Sequence, residues 1–124
     1  MNNIETGKIG ENMACNYLIN NNYSILTRNH KERFDEIDII ARRKDGVLIF
    51  IEIKTTNNIE EFLNGFMPED NFSPAKHRRV KRAVESFLVR NTRLIRENEG
   101  WQIDLIAIVL KNGELDELRH YKNI

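Results

Sequence analysis

The chain is poor in several features that would assign a protein to a specialised class. Cys15 is the single cysteine among 124 residues, which excludes an internal disulfide framework and a zinc centre built on several cysteines. No apolar run approaches the roughly 20 residues that cross a bilayer, and no stretch has the layout of a signal peptide. We therefore expect a single domain over residues 1–124, in the reducing cytoplasm and without a membrane partner.

An excess of charge of either sign is also absent. Nineteen Lys and Arg residues balance nineteen Asp and Glu residues, and the formal net charge is zero. This balance argues against a protein that coats nucleic acid, because such proteins usually carry a basic excess. It leaves an enzyme acting on nucleic acid open, because charge can be segregated to one face of a neutral protein.

Residues 36–54 predict two strands joined by a tight turn. Glu36 to Arg42 alternates apolar and polar residues, and Val47 to Lys54 forms a second apolar run after Lys44-Asp45-Gly46, a pattern typical of a hairpin. A two-residue turn at Asp45-Gly46 would place Asp38 on the wrong side for a shared site. We therefore favour a three-residue loop, in which the glycine suits the left-handed position.

The three-residue loop sets the pairing of the charged residues in the two strands. It places Asp38 opposite Glu52, and Glu36 opposite Lys54. Two carboxylates in this position repel each other, and a Mg²⁺ or Mn²⁺ ion between them would remove that penalty. Glu36 either assists such a site or pairs with Lys54. The alternative for Asp38, Glu52 and Lys54 is a buried ion-pair set without chemistry.

Apolar periodicity outlines the remaining elements of an α/β fold. The second long helix has a capping Ser73 and a Pro74 in its first turn, and it is the natural crossover into a parallel strand. We expect a mixed five-stranded sheet flanked by helices. Besides the hairpin, the predicted elements are a helix over Ile4–Asn20, a strand over Tyr23–Arg28, a helix over Ser73–Arg90, and strands over Trp101–Leu110 and Leu115–Tyr121.

Two connections between these elements have less definite patterns. The polar connection Asn29–Asp35 contains His30, Lys31 and Arg33, for which a solvated loop is favoured over phosphate contacts. The stretch Thr55–Phe72 fits an active-site flap, a dimer contact or a short packed helix. We favour packing, because apolar residues more often belong to a core than to an interface.

A basic cluster lies at the start of the second long helix. Charge on a helix surface usually serves solvation, but this density of basic side chains in a chain of zero net charge favours contacts with the phosphates of nucleic acid. The residues predicted to bind nucleic acid are Lys76, Arg78, Arg79 and Arg82, with His77 and Lys81 between them.

The spacing of the charged residues resembles a known nuclease signature. Asp38, thirteen further residues and Glu52-Ile53-Lys54 resemble the PD-(D/E)XK pattern of proteins with restriction-endonuclease-like folds. Four further segments match in order, and with them the chain is identified as a member of the YraN-like family of endonuclease-like proteins, similar to archaeal Holliday-junction resolvases. The segments are Gly7-Lys8-Ile9-Gly10-Glu11, Tyr23 to Asn29, Glu36 to Ala41, and Ile103 to Ala107.

The resemblance implies metal-dependent hydrolysis of phosphodiester bonds. Asp38 and Glu52 would hold Mg²⁺ or Mn²⁺, with the Ile53 carbonyl as a further ligand. Lys54 would orient the attacking water or stabilise charge on phosphate oxygens, whereas a role as neutral base needs a large depression of its pKa. The resemblance adds Glu11 to the catalytic set as an outer ligand or support, although its place near a helix start equally fits a surface acid.

The resemblance also bears on the substrate. It implies that Lys76 supports the site or contacts a phosphate, whereas Thr56 stands where the family usually carries an arginine. We expect DNA as the substrate, and a homodimer acting on branched DNA rests on the resolvase resemblance alone. The alternative function is a non-catalytic module that binds nucleic acid or protein on a nuclease scaffold.

Overall fold

A five-stranded sheet with the two long helices on opposite faces forms the framework of the protein. The computed structural model describes residues 2–33, 35–65, 67–95 and 99–124; Phe34 and Phe66, which fall in the two connections discussed above, lie outside the described residues. Short 3₁₀ turns cover Pro68–Asn71 and Thr92–Leu94. The helices and strands are α1 (Asn3–Asn20), β1 (Ser24–Lys31), β2 (Glu36–Arg42), β3 (Leu48–Thr56), α2 (Ile59–Leu63), α3 (Pro74–Arg90), β4 (Trp101–Lys111) and β5 (Glu114–Tyr121).

The strands lie in the sheet in chain order, β1-β2-β3-β4-β5. All neighbouring pairs are antiparallel except β3 and β4, which are parallel. The connection between that parallel pair contains α3, as a parallel pairing requires a crossover. The predicted fold class is therefore confirmed: this is a mixed α/β protein whose architecture is consistent with a restriction-endonuclease-like fold.

Each face of the sheet has its own apolar core. Ala14 and Leu18 of α1 pack with Ile49 and Ile51 of β3. On the opposite face, Val80, Val84 and Phe87 of α3 pack with Leu48 and Phe50. Burial of each large aliphatic side chain contributes about 1.5–3 kcal/mol. Alternation along β3 thus places Glu52, two residues after Phe50, on the face covered by α3.

Glycine permits α1 to approach β3 closely. A Cβ atom on Gly10 would lie 2.0 Å from Thr55 Oγ1 and 2.8 Å from Thr55 Cβ. Any larger residue at position 10 would push the helix away from the strand end. Gly10 therefore fixes the distance between α1 and the part of β3 that carries the charged residues.

The register of the β2–β3 hairpin agrees with the three-residue loop. Arg42 is opposite Leu48 and Ile39 is opposite Ile51, and the Arg43 amide donates to the Val47 carbonyl at 2.9 Å. Gly46 has φ +94°, the left-handed conformation that this loop needs. The predicted register is confirmed from Arg42–Leu48 to Ile39–Ile51, but the strand pairing ends there and does not extend to the predicted pairs Asp38–Glu52 and Glu36–Lys54.

The first strand is longer than predicted. β1 continues to Lys31, so His30 and Lys31 belong to the sheet rather than to a solvated loop. The His30 ring packs edge-on against Phe87 at a centroid distance of 5.1 Å, and its Nε2 hydrogen-bonds with Glu32. The polar composition concealed this extension, because the strand lies at the sheet edge and needs few apolar residues.

The stretch predicted as irregular contains one short helix and one 3₁₀ turn. The predicted packing against the core is found for part of this stretch: Pro68 is buried and Phe72 lies against the core beneath α3. The predicted packing is not found for Leu63, whose side chain is on the surface and 78% exposed. No helix in the described part of the chain is long and apolar enough to span a bilayer.

Candidate active site

The candidate site lies where β2 and β3 part. Their pairing ends at Ile39 and Ile51, although the register would continue with Asp38 opposite Glu52 and then Ile37 opposite Ile53. Instead, the Ile53 amide donates to Asp38 Oδ2 at 2.8 Å. A side-chain carboxylate thus replaces the main-chain acceptor and opens a fork between the strands. Because the N–H and C=O groups of one strand residue point to the same side, the Ile53 carbonyl also faces this fork.

Asp38 lies in the gap between the two strands and is accessible from the α1 side. A cavity of about 240 Å³ opens there. On the other side of the fork, Asp38 is near Glu52, and each carboxyl influences the protonation of the other. The cavity is lined by Asp38, Ile53 and Thr55 from the strands, and by Asn3, Thr6, Gly7 and Glu11 from α1.

Glu52 is a buried carboxylate between two lysines. It is only 4% exposed, and its Oε1 lies 3.8 Å from Lys54 Nζ and 3.7 Å from Lys76 Nζ. Its Oε2 is buried and accepts no hydrogen bond from another described side chain or amide when Glu52 is ionised, but the Glu52 and Asp38 carboxyls can share a hydrogen bond while one of them holds a proton. When both carboxyls are ionised this hydrogen bond is lost and two buried negative charges lie side by side, which is costly; a bound cation would remove this cost.

The protonation of the pair reflects this burial. Burial raises the pKa of Glu52 and the charge of Asp38 raises it further, whereas Lys76 and Lys54 lower it. Burial also raises the pKa of Asp38, and the hydrogen bond from the Ile53 amide acts in the opposite direction. Without a cation the pair therefore retains a proton at neutral pH, and a cation would have to displace it.

The donor atoms at the fork fit a hard divalent cation. Asp38, Glu52 and the Ile53 carbonyl offer oxygen atoms only, which suits Mg²⁺ or Mn²⁺. The described residues contain no group of three or more His, Cys, Asp or Glu side chains arranged to hold a metal. Magnesium commonly binds through one or two carboxylates and completes its coordination with water and substrate phosphate, so two carboxylates suffice.

Lys76 is held at the site by a second carboxylate. Its Nζ lies 2.6 Å from Asp35 Oδ2, and this hydrogen bond keeps the pKa of Asp35 low even though burial raises it. Sequence reasoning did not single out Asp35. Lys76 itself was predicted as a site or phosphate-binding residue. The helical pattern is consistent with its position at the site, because Lys76 lies four positions before the buried Val80 and thus continues the apolar stripe of α3.

Glu11 lines the same cavity as Asp38 but is engaged by other side chains. Its Oε1 accepts hydrogen bonds from Arg28 Nε at 2.7 Å and Asn29 Nδ2 at 2.9 Å. Asn29 has φ +52°, so Glu11 braces an unusual backbone conformation in β1 beside the fork. This geometry gives Glu11 a supporting position rather than a free carboxylate, and sequence reasoning missed both partners.

The basic residues of α3 do not all lie at the candidate site. Lys76 faces the site, and Arg79 lies at its rim, with Nε 3.9 Å from Asp35 Oδ2 and 52% of the side chain exposed. Arg78 and Arg82 are exposed on the side of the helix away from the sheet. The structure thus brings Asp38, Glu52, Lys54 and Lys76 together and leaves Arg78 and Arg82 outside.

The fold and the site together define a class: mixed α/β proteins with a restriction-endonuclease-like architecture and a carboxylate–lysine site at a strand fork. Within that class the chain belongs to UPF0102, described as "Uncharacterised protein family UPF0102", whose family model matches residues 10–108. This range includes Asp38, Glu52, Lys54 and Lys76, but not Asn3, Thr6 and Gly7 of the cavity wall.

Relatives in several bacteria match over nearly their full length. The UPF0102 protein of Dictyoglomus turgidum is 39% identical over 116 residues, which cover 93% of this chain and 92% of that protein. The UPF0102 protein of Lachnoclostridium phytofermentans is 36% identical over 123 residues, covering 99% and 94%. That of Campylobacter concisus is 33% identical over 111 residues, covering 90% and 89%.

Proposed function

We propose that this protein is a metal-dependent phosphodiesterase that cleaves nucleic acid, with DNA as the principal substrate. The observation that carries the proposal is the state of Glu52: a buried carboxyl whose pKa is raised by burial and by the neighbouring carboxyl of Asp38, with two lysines at 3.7 and 3.8 Å. A purely structural ion pair does not require a second buried carboxyl beside the first. The likeness of Asp38 and Glu52-Ile53-Lys54 to the PD-(D/E)XK pattern supports the same interpretation.

Each residue at the site has a separate role in the proposed hydrolysis. Asp38, Glu52 and the Ile53 carbonyl would hold Mg²⁺ or Mn²⁺, and such an ion, when bound, polarises a phosphate and lowers the pKa of water. Lys54, whose side chain is 24% exposed, can orient the attacking water or stabilise charge on phosphate oxygens. Lys76 keeps a second positive charge beside Glu52 and is positioned by Asp35.

Affinity for the substrate would come from the exposed basic residues of α3. Arg79 at the rim of the site, with Arg78 and Arg82 on the outer side, can bind backbone phosphates, which gives affinity without reading the base sequence. The neutral net charge keeps non-specific binding weak. Cleavage of branched DNA by a homodimer is the more specific form of this proposal.

The test is cleavage of labelled single-stranded, duplex, flap and four-way DNA, and of RNA, with Mg²⁺, Mn²⁺ or EDTA. Asp38→Asn and Lys54→Ala should each reduce metal-dependent cleavage on the order of 10²-fold or more, the loss typical when one electrostatic group of a catalytic site is removed. Sedimentation with and without four-way DNA tests the homodimer.

Matched variants control for general effects of these substitutions. Asp45→Asn changes an exposed aspartate in the hairpin loop, and Lys111→Ala changes an exposed lysine at the end of β4; both should cleave like wild type. Cleavage that survives in Asp38→Asn would refute the assignment. Absence of cleavage and of metal binding, with DNA binding weakened by Arg79→Ala, would establish the non-catalytic binding module instead.

A further inference from the structure

The cavity on the α1 side of the fork has a glycine in its wall that the packing of the fold does not require. Gly7 lines this cavity together with Asp38, and it lies inside α1, where glycine is less favourable than alanine. A Cβ atom on Gly7 would lie more than 4 Å from every described atom outside its own helix. The fold thus has room for a side chain at position 7, and glycine there lowers the stability of α1 without a packing reason.

Gly10, three positions further along the same helix, shows the opposite situation. Its Cβ atom would overlap Thr55, so packing alone accounts for this glycine. Gly7 nevertheless lies on the face of α1 that is directed at the sheet, because positions 7, 14 and 18 share one face of a helix and Ala14 and Leu18 are fully buried. A side chain at position 7 would therefore project into the cavity and not into open solvent behind the helix.

Two contacts hold α1 at this distance from the strands. Gly10 is against Thr55, and Thr6, which is 5% exposed, accepts a hydrogen bond from Asn57 Nδ2 at 2.9 Å. The same Thr6 hydroxyl donates to the Asn2 carbonyl at 2.9 Å. The space in front of Gly7 is therefore part of the packed structure, and only a side chain or a ligand fills it.

The cavity walls suit a small anionic group that is held through a cation. Two of the three groups proposed to hold the metal, Asp38 and Ile53, line the cavity. Glu11 in the same wall is paired with Arg28 at 2.7 Å, and 40% of the Arg28 side chain is exposed, so the charge of Glu11 is balanced. The volume is about 240 Å³, smaller than pockets for drug-sized ligands. An apolar ligand would leave these polar walls without partners.

We propose that Gly7 determines which group can enter this site: by lacking a side chain it leaves room in front of Asp38 and Ile53 for one phosphodiester group of the substrate, which reaches the metal from the α1 side of the sheet. The inference rests on the proposed function for the chemistry at Asp38. It goes further by naming the side from which the substrate approaches and the residue that sets the size of the entering group.

The test compares stability with substrate binding, because the two should change in opposite directions. Gly7→Ala should raise the melting temperature by roughly 2–6 °C, the effect of removing glycine from a helix interior in a chain of this size. It should weaken binding roughly 10-fold or more, the effect of one surplus methyl group in a close-fitting site. The probe is labelled DNA in Ca²⁺, in whichever of the single-stranded, duplex and four-way forms wild type binds most tightly.

Two further measurements separate this role from general damage to the site. Gly7→Leu, checked for a native circular dichroism spectrum, should weaken DNA binding more than Gly7→Ala does. In calorimetric titration with Mn²⁺ alone, Gly7→Ala should match wild type, because the new methyl group lies more than 4 Å from Asp38 and Ile53.

Asn16→Ala is the matched control, because Asn16 is exposed on α1, on the face opposite Gly7, and alanine is again the better helix former. It should raise the melting temperature and leave DNA binding unchanged. A lower melting temperature in Gly7→Ala, wild-type DNA affinity in Gly7→Leu, or no DNA binding by wild type would overturn the inference. Failure of the proposed function is distinguishable, since it is measured as cleavage surviving in Asp38→Asn.

Discussion

Replacement of Glu52 by glutamine should stabilise the metal-free protein at high pH and not at low pH. Burial, with the charge of Asp38, raises the pKa of Glu52 to about 8 from an ordinary value of 4.5. Between these values the folded protein binds a proton that the unfolded chain has lost, so wild-type stability falls as the pH rises. Three pH units at about 1.36 kcal/mol each give a fall of about 4 kcal/mol between pH 5 and pH 8.

The measurement is urea unfolding in EDTA at several pH values from 5 to 8. Glu52→Gln has no titratable group at this position, so its free energy of unfolding should not show the fall caused by Glu52. The free energy of unfolding of the variant relative to wild type should therefore rise by about 4 kcal/mol from pH 5 to pH 8. Glu85→Gln, at an exposed position on α3, is the matched control and should follow wild type throughout.

A divalent cation should reverse the effect in wild type. Mn²⁺ or Mg²⁺ at 100 times its dissociation constant stabilises the folded state by about 2.7 kcal/mol, and the gain should be larger at pH 8, where less proton must be displaced. Glu52→Gln should gain far less. The same pH dependence in variant and wild type, with no stabilisation of either by metal, would refute the view of Glu52 as a strained metal ligand.

Two predictions concern residues around the site. Gly10→Ala should lower the free energy of unfolding by about 1–3 kcal/mol, because its Cβ would overlap Thr55; Thr55→Ala in the same chain should recover part of this in urea unfolding, and full additivity would contradict the overlap. Although burial raises it, hydrogen bonds from His120 and the Asn123 amide hold the pKa of Asp104 low. Asp104→Asn should therefore cost about 2–3 kcal/mol at pH 7, a difference that shrinks as acid protonates Asp104 in wild type; a loss independent of pH would contradict this.

Local patterns were sufficient to predict the fold and the pairing of the central strands. Alternation along β2 and the glycine of the hairpin loop define one register, since a shift by one residue would turn every apolar side chain to the opposite face. The Ser73–Pro74 start of α3 and the aliphatic run of β4 likewise predict a crossover and a parallel pair. These features depend on residues close together in the chain.

The contacts that hold the site in place could not be predicted in this way. Asp35 and Lys76 are 41 positions apart, and no periodicity links them. The hydrogen bond between Asp38 and the Ile53 amide is equally invisible, because a pattern of apolar and polar residues does not show that a side chain has taken the place of a main-chain acceptor. The partners of Glu11 were missed for the same reason.

The fork between β2 and β3 has a consequence for how the protein can change by mutation. Asp38 interrupts a pairing that the register would otherwise continue to Ile37 and Ile53, and its burial beside Glu52 is unfavourable. An apolar residue at position 38 would allow the hydrogen-bonded pairing of β2 and β3 to extend to Ile37 and Ile53. It would also remove the buried carboxyl next to Glu52. Loss of the site is thus a route to a more stable fold, which sets local stability against the chemistry proposed for these carboxylates.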